Sequence, residues 1–284
     1  MKINIVSLSG HRIDELLADY CYAALKKHDV HEVHRDLKIT DKTVDALWVF
    51  NGLHLSDRST SIIKASKKIP TLYFHDDISL PVFPSMTTIS QFEGFSSHHF
   101  QISELSLFDK RWETTPNSHK SFDFCYWGHE KKERVVNYDK YIYPMDNKRS
   151  TFIGDFRGRM ALNVAYERDM DRLYKNIKHA KYTVAFGDQH HNGRSIPLRV
   201  YEAAMMGVSV LFDRKLVEGQ AYFSIDSKFI VDSYKDFFIP DYTEFREALL
   251  KGTLEEARER VQQNLETLLE ITSQKVRKNH ASIK

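Results

Sequence analysis

Cysteine is scarce in this sequence. Only Cys21 and Cys125 occur in 284 residues, and neither has the spacing of a metal-ligand pair or of a catalytic pair. The scarcity excludes a cysteine-ligated metal site and a paired catalytic thiol. We expect both thiols to be small, buried hydrophobic groups in a reducing cytoplasm.

Long apolar runs and an excess of one charge are also missing. No segment approaches the about 18 apolar residues of a membrane span, and the chain opens with a strand-like segment, residues 2–8, instead of a basic and then apolar leader. Its 41 Lys and Arg nearly balance 39 Asp and Glu, so a net charge of +2 creates no global basic field. We therefore expect a soluble intracellular protein in which contact with nucleic acid would need a local basic groove.

Strand-like runs alternate with helical segments along the chain, and this alternation is typical of parallel α/β sheets. No internal repeat, low-complexity segment, helix-turn-helix or zinc-finger motif interrupts it. In the first half the predicted strands are 3–8, 46–50, 71–74 and 100–102, and the predicted helices are 13–28 and 59–68. In the second half the predicted strands are 122–127, 151–153, 182–186, 208–212 and 229–231, and the predicted helices are 168–179, 198–206, 242–250 and 254 to about 277.

A polar, aperiodic stretch with Pro and Asn, residues 110–120, is typical of a linker between two halves. With 42% hydrophobic residues the chain can fill the cores of two ordinary domains. The sequence predicts an α/β protein with two Rossmann-like domains facing each other across a cleft. The predicted boundaries are 1–115 and 120–255, followed by a C-terminal helix, 256–284, that could cross back to the first domain.

The most informative segment is 195–212, which predicts a helix entered through Pro197 and closed by Gly207, followed by a buried strand. Arg199 and Glu202 share a face of this helix near its N-terminal end, where unpaired N–H groups favour an anion. A diphosphate could bind Arg199 and the helix end, and ribose hydroxyls could bind Glu202, as in a nucleotide-sugar. The alternative is a solvated surface ion pair.

The neighbouring sequence favours the ligand site over the surface pair. A buried strand, 182–187, precedes the helix and ends in a polar loop, 188–194. Strand, loop, helix and strand form a βαβ unit, whose ligands bind at the carboxyl end of the strand. We expect His190 and His191 to belong to the loop that lines this site.

Short blocks in a shared order resemble the DNA glucosyltransferases of T-even bacteriophages, which have the GT-B fold. The blocks are residues 1–6, 73–81, 123–128, and 185–188 with 198–202; only the last is specific by itself. The resemblance implies transfer of glucose from UDP-glucose to hydroxymethylcytosine, or to already glucosylated hydroxymethylcytosine, in duplex DNA in the cytoplasm of an infected host. The chain length is closer to that of the enzyme that adds a second glucose.

The same resemblance assigns the catalytic base to Asp77, which stands beside Asp76 after the third predicted strand. Inversion at the sugar carbon requires one carboxylate to take the proton of the attacking hydroxyl while UDP departs from the opposite side. Read without the resemblance, the two aspartates would cap a turn.

For the donor, the resemblance implies that Arg199 binds phosphate and Glu202 binds ribose, with Gly187 and Leu198 beside them. A Glu on the first helix also contributes in the family. Glu15 is the best match to it, and Asp14 is the alternative.

A second phosphate contact is expected after the strand 122–127. Arg134 is the nearest equivalent of the family's further arginines, and in a shifted register Lys131 or Lys132 takes that place. The family's Gly-Ser-Phe-Arg spacing is absent here, so these alternatives stay open. Lysine could hold a phosphate as a point charge without bidentate geometry.

The partners implied are UDP-glucose as donor and double-stranded phage DNA as acceptor. We expect the protein to bind them as a monomer with no membrane contact. The sequence does not predict a divalent metal ion, although such an ion remains compatible with it. Asp169 and Asp171 have the spacing of a metal-binding acid pair, but side chains two apart on a helix diverge. The basic tail 275–278 could touch DNA phosphate, although a solvated helix end is the simpler interpretation. Two other functions stay open, namely a GT-B transferase acting on a polysaccharide or small molecule, and a non-catalytic protein that binds a nucleotide-sugar or DNA.

Overall fold

The strands and helices of the chain are divided between two units. A computed structural model describes residues 1–7, 12–26, 31–37, 43–50, 57–75, 83–92, 94–96, 98–109, 119–129, 132–146, 149–156, 163–164, 170–188 and 191–283. The first unit comprises Met1–Asp109 with Glu255–Lys284, and the second comprises Lys110–Leu254. The C-terminal segment is therefore part of the first unit. Most of the predicted linker, 110–118, lies outside the described residues.

The described part of the first unit contains a five-stranded parallel sheet in the order β2-β1-β3-β4-β5. Its elements are β1 (Lys2–Ser7), α1 (Arg12–Leu25), β2 (Glu32–Arg35), β3 (Ala46–Phe50), α2 (Asp57–Ser66), β4 (Thr71–His75) and β5 (Thr87–Ser90). The strands β2 and β5 were not predicted because each is short and mostly polar. The predicted strand 100–102 is wrong, since the chain makes only a bridge from Ser90 to His99 and then a 3-10 helix, Ile102–Phe108.

The core of the first unit is closed by the last helix, α8 (Leu254–Ile283). Its apolar face buries Val261, Leu265, Leu268 and Leu269. Hydrogen bonds join it to the rest of the unit: among them, Trp48 Nε1 donates to Thr272 Oγ1 at 3.0 Å, and Arg258 Nε donates to the carbonyl of Leu107 at 2.7 Å. The fully buried β3 and β4 lie beneath, with the rings of Phe50 and Phe74 stacked 4.4 Å apart.

In the second unit the described strands form a parallel sheet in the order β11-β10-β9-β6-β7-β8. Its elements are β6 (Phe122–His129), α3 (Val135–Asn137), β7 (Ser150–Asp155), β8 (Asn163–Val164), α4 (Met170–Ile177), β9 (Ala180–Ala185), α5 (Leu198–Met205), β10 (Ser209–Asp213), α6 (Arg214–Val217), β11 (Ile230–Val231) and α7 (Tyr242–Leu250). The predicted α/β class with two parallel sheets is confirmed.

The second core is rich in aromatic rings. Tyr126 on β6 stacks on Phe186 with ring centroids 5.3 Å apart, and Tyr138 and Tyr141 pack edge-on or stacked against the same Phe186. Because β6 and β9 are neighbours and run parallel, the residues that follow them meet at one edge of the sheet. This edge positions the candidate site.

None of the helices in the described ranges is both long and apolar enough to cross a lipid bilayer. Cys21 and Cys125 are buried, and burial raises the pKa of the Cys125 thiol to about 12. Both thiols are therefore protonated, packed side chains, as expected from the sequence.

Candidate functional site

The helix α5 begins directly after the loop that follows β9. Pro197 is its N-cap and has no side-chain donor or acceptor, so the first N–H groups of the helix receive no hydrogen bond from the N-cap side chain. The helix ends where Gly207, at φ +75°, lets the N–H groups of Gly207 and Val208 bond back to the carbonyls of Ala204 and Ala203. The predicted helix boundaries are thus confirmed to within one residue, with Pro197 just outside the first turn.

Arg199 lies against the end of β6. Its guanidinium carbon is 4.4 Å from the ring centroid of Tyr126 and 5.2 Å from that of Trp127. Burial disfavours the charged form, but Tyr126, Tyr138 and the carboxylate of Glu202 together outweigh it and raise the pKa of Arg199 above its ordinary value. The cation is therefore permanent and is held against aromatic faces.

Two glycines make room for this guanidinium. Gly128 has φ +135°, and a Cβ there would lie 2.9 Å from Nη2 of Arg199. Its partner across the sheet, Gly154, has φ +153°, and a Cβ at that position would lie 1.7 Å from the carbonyl oxygen of Gly128. The ends of β6 and β7 therefore approach so closely that no side chain fits between them.

Glu202 lies one turn after Arg199 on α5, with only 5% of its surface exposed. The hydroxyl of Tyr174, on α4, donates a hydrogen bond to Glu202 Oε1 at 3.0 Å. A solvated surface ion pair, the alternative considered from sequence, does not hold for a carboxylate this deeply buried. A buried carboxylate that already accepts a hydrogen bond from a hydroxyl group has the chemistry to bind the hydroxyl groups of a polyol.

A second charged cluster lies where β9 ends. Arg134 donates from Nε at 3.3 Å and Nη2 at 3.0 Å to Oδ2 of Asp188, while Nδ1 of His191 lies 2.8 Å from Oδ1 of the same carboxylate. Burial would raise the pKa of Asp188, but His191 and Arg134 stabilise the charged form and bring it well below its ordinary value. Arg134 is thus held by an acid that sequence reasoning did not single out.

The two arginines act on one phenol. Burial raises the pKa of Tyr138, and the charges of both Arg199 and Arg134 oppose that rise. Both guanidinium groups therefore lie within electrostatic reach of Tyr138. Of the two alternatives to Arg134, Lys132 is exposed in the same short 3-10 helix, Lys132–Arg134, and Lys131 lies outside the described residues.

The loop between β9 and α5 supplies polar groups. The carbonyl of Gly187 accepts a hydrogen bond from Asn137 Nδ2 at 2.8 Å, and a Cβ on Gly187 would lie 2.6 Å from the Cβ of His191. Asn192 Oδ1 and Ser195 Oγ are buried without a hydrogen-bond partner among the described residues. Leu198, half-buried, is the first residue of α5.

Asp188, Asn192, Ser195 and Tyr174 were missed from sequence. The signal for Asp188 and Asn192 was their position in the polar loop 188–194, and Ser195 is the first residue of the segment 195–212. Tyr174 gave no signal because it lies in a separate helix. The other loop histidine named from sequence, His190, lies outside the described residues, whereas His191 does line this cluster.

The remaining site residues predicted from sequence belong to the first unit, whereas the residues described above belong to the second. Asp76 and Asp77 lie outside the described residues: the described range 57–75 ends at His75, the last residue of β4, and the next range begins at residue 83. Glu15 on α1 accepts hydrogen bonds at 2.5 Å from Ser7 Oγ and from Arg35 Nη2. Its alternative, Asp14, is buried. In this structure Glu15 is thus tied into an ion pair within its own unit.

The described ranges hold no cluster of metal-binding side chains. Nowhere within them do three His, Cys, Asp or Glu side chains come together as a metal site would require. Asp169 lies outside those ranges, as does the side chain of Asp171, so their predicted divergence stays a prediction.

No protein-family model and no curated protein sequence matches this chain. Solved structures do. A DNA-modifying β-glucosyltransferase, studied with and without uridine diphosphoglucose, matches with a TM-score of 0.74 and 15% identity, covering 96% of this chain and 100% of its own. The T4 phage β-glucosyltransferase with UDP and Mn²⁺ matches with a TM-score of 0.63 and 16% identity, covering 100% and 99%. An α-glucosyltransferase with UDP and a 13-mer DNA matches at 0.58 and 11%, covering 96% and 100%.

These likenesses cover at least 96% of this chain and at least 99% of each matched chain. At such low identity they establish the fold, which is the GT-B arrangement of two parallel α/β units expected from sequence. The chemistry of this chain has to be argued from its own side chains.

Proposed function

We propose that this protein is a phage DNA-modifying glycosyltransferase that transfers glucose from UDP-glucose to hydroxymethylcytosine, or to already glucosylated hydroxymethylcytosine, in duplex DNA. The observation that carries the proposal is the pairing of Arg199 with a buried Glu202 at the start of α5. The full-length likeness of fold to enzymes crystallised with UDP-glucose, UDP or DNA supports it. The proposed setting is the cytoplasm of an infected bacterial host, where the protein acts as a monomer.

The second unit would bind the donor. The diphosphate would lie against the N-terminal N–H groups of α5 and the guanidinium of Arg199, which is fixed on Tyr126. The vicinal ribose hydroxyls would donate to the Glu202 carboxylate, which also accepts a hydrogen bond from Tyr174. Arg134, with Lys131 or Lys132 as alternatives, would supply the second cationic contact, and Gly187 would allow the backbone to approach the ligand closely.

The first unit would supply the acceptor surface and the general base. Asp77 would take the proton from the attacking hydroxyl as the bond between the sugar carbon and UDP breaks on the opposite side. Glu15 is proposed as a further donor contact, which would require it to exchange its bond with Arg35 for one to the ligand. The acceptor base would have to leave the DNA stack, at a cost of a few kcal/mol that phosphate contacts would offset.

The deciding experiment offers UDP-glucose with radioactive glucose to three duplex DNAs, which contain plain, hydroxymethylated or glucosylated cytosine. Label entering one modified DNA supports the proposal and identifies the acceptor. Label entering none of the three rejects a DNA transferase, and turnover of a polysaccharide or small molecule instead would support the alternative enzyme. A parallel arm with EDTA, then with added Mn²⁺, measures metal dependence.

Replacing Asp77 tests the proposed base. Asp77→Asn keeps the shape of the side chain but cannot accept the proton, so transfer should fall by at least about 100-fold while UDP binding is retained. Asp76→Asn is the matched control and should keep most of the rate. A near-normal rate for Asp77→Asn would place the base elsewhere. Loss of UDP binding in both variants would indicate a structural role for the pair.

A further inference from the structure

A basic concavity lies in the first unit, and the residues that line it include none of those assigned to the donor. It has a volume of about 300 Å³ and lies where the turn between α2 and β4, the start of β5 and the last turns of α8 meet. Four of its lining residues are lysines, namely Lys67, Lys68, Lys275 and Lys278. We call this concavity the lysine basin. Lys67, Lys68 and Lys278 are exposed to solvent, and Lys275 is half-buried.

Hydrogen bonds hold the walls of the basin in place. Asn279 Nδ2 on α8 donates to the carbonyl of Lys68 at 3.0 Å, which joins the two lysine-bearing segments directly. Ser66 and Ser85 share a hydrogen bond of 2.6 Å between their hydroxyl oxygens. The lysines are therefore presented from a fixed scaffold and not from independent surface loops.

The charge around the basin is one-sided. Residues 58–75 contain four Lys or Arg, residues 271–284 contain another four, and neither segment contains any Asp or Glu. The third wall, residues 83–92, has no charged residue of either sign. In a chain whose formal net charge is only +2, this concentration is a local electrostatic signal for a polyanion.

The basin is distinct from the proposed acid–base site of the same unit. Thr71 and Thr87, which line it, are the first residues of β4 and β5. Asp77 instead follows the last residue of β4, His75. Because a strand of five residues is about 16 Å long, the basin lies at the edge of the sheet opposite the strand ends that precede Asp77.

We propose that the lysine basin binds the phosphate backbone of duplex DNA, as a second, sequence-independent contact separate from the one that presents the acceptor base. The proposal rests on the proposed function only in taking DNA as the partner. Lysine ammonium groups on flexible stems suit this role because they neutralise phosphates without demanding a fixed geometry. Such a contact would hold the protein on DNA between successive transfers.

The test measures binding of the full-length protein to a fluorescent 30-base-pair duplex of ordinary cytosine DNA by anisotropy, over a range of NaCl concentrations. The basin variant carries Lys→Gln at residues 67, 68, 275 and 278. The matched control carries Lys→Gln at residues 175, 178, 215 and 235 in the second unit, and so has the same net charge. Each phosphate that the protein no longer neutralises lowers the salt slope of log K by about 0.9, so the basin variant should reduce the slope by about 1 to 3 and the control should leave it almost unchanged.

Two further measurements separate the explanations. A Lys→Arg version of the basin should keep the wild-type slope, and calorimetric UDP binding should be the same in all variants. The proposal would be overturned if the salt slope changed equally in the basin and control variants, or in neither. It would also be overturned if the basin variant had a lower melting temperature but unchanged DNA binding. Should the fourfold variant not fold, Lys67→Glu alone must weaken DNA binding for the proposal to stand. Wild-type protein that does not bind this ordinary duplex would also overturn the proposal, because the basin contact is sequence-independent, whereas the proposed function is decided separately by transfer of labelled glucose to modified DNA.

Discussion

Arg199 and Glu202 keep opposite charges in a part of the second unit that is largely closed to water. The cation is stabilised by the aromatic faces of Tyr126 and Trp127, and the anion by the hydroxyl of Tyr174. A cation and a carboxylate placed on one helix have the chemistry to bind a ligand that carries an anion and hydroxyl groups. Burying charged side chains costs free energy, and charged groups in such environments are found most often at binding and catalytic sites.

Glu202→Gln should weaken UDP binding by roughly 10- to 100-fold, because charge-assisted hydrogen bonds to the ribose become neutral ones. Isothermal titration calorimetry with UDP measures this. Tyr174→Phe removes only the bond that orients the carboxylate, so its loss should be smaller, about fivefold. Unchanged UDP affinity in both Glu202→Gln and Arg199→Lys would remove the donor site from this helix.

The substitution Asp188→Asn should make the free energy of unfolding vary less with pH in acidic solution. The pKa of Asp188 is lowered in the fold, so its stabilising contribution is complete above the ordinary value of 3.8 and is lost as pH falls below it towards the folded value. The gap in urea midpoint between wild type and Asp188→Asn should therefore be present at about pH 5 and shrink below about pH 4. Asp232→Asn, which breaks an ion pair whose carboxylate is 61% exposed, is the control and should change the midpoint little. A gap that widens in acid would contradict the assignment.

At the scale of elements, the site depends on where parallel strands end. β6, β7 and β9 place Trp127, Gly154 and Asp188 at one edge of the second sheet, and α5 starts from the same edge. The pair of glycines at the ends of β6 and β7 sets how closely these backbones approach, which in turn leaves the space that Arg199 fills.

Gly154→Ala should destabilise the second unit by several kcal/mol, because its Cβ would overlap the carbonyl of Gly128 as well as strain the backbone. Gly219→Ala is the matched control, since it also has positive φ but no described atom lies within 4 Å of its added Cβ. That variant should lose only about 1 kcal/mol. Urea unfolding followed by circular dichroism compares the two, and equal losses would show that the contact with Gly128 relaxes freely.

At the scale of the whole molecule, the chain leaves the first unit, forms the second and returns as α8 to complete the first. The buried leucines of α8 are therefore far in sequence from the strands that they cover. The first unit cannot complete its core until residues 257–272 are present.

Leu265→Ala should destabilise the first unit by about 2–5 kcal/mol, since Leu265 is fully buried in its core. Hydrogen exchange read by mass spectrometry should show faster exchange in β3 and β4, with β9 and β10 less affected. Leu211→Ala, which removes an equally buried leucine from β10, should give the reverse pattern. Identical exchange maps for the two variants would mean that the units do not unfold separately.

Local pattern was sufficient for most of the fold. The apolar runs at 46–50, 71–74 and 182–186 form buried strands, because short apolar runs are stable only when they are removed from water. The helix α5 begins after Pro197 and ends before Gly207, whose backbone preferences favour these boundaries. The sequence did not predict the short polar strands β2 and β5, and it predicted a strand at 100–102 that does not form. The conformation of these segments depends on neighbouring strands and not on their own composition.

The sequence by itself determined the α/β class, the βαβ unit around residues 182–212 and the presence of a cation and a carboxylate on one helix, because periodicity and capping act over a few residues. Only the tertiary structure decided that Glu202 is buried against Tyr174, that Arg134 is paired with Asp188, and that two lysine-bearing segments form one basin. Those facts join residues that are distant in the chain, and contacts of that kind are set by how helices and strands pack.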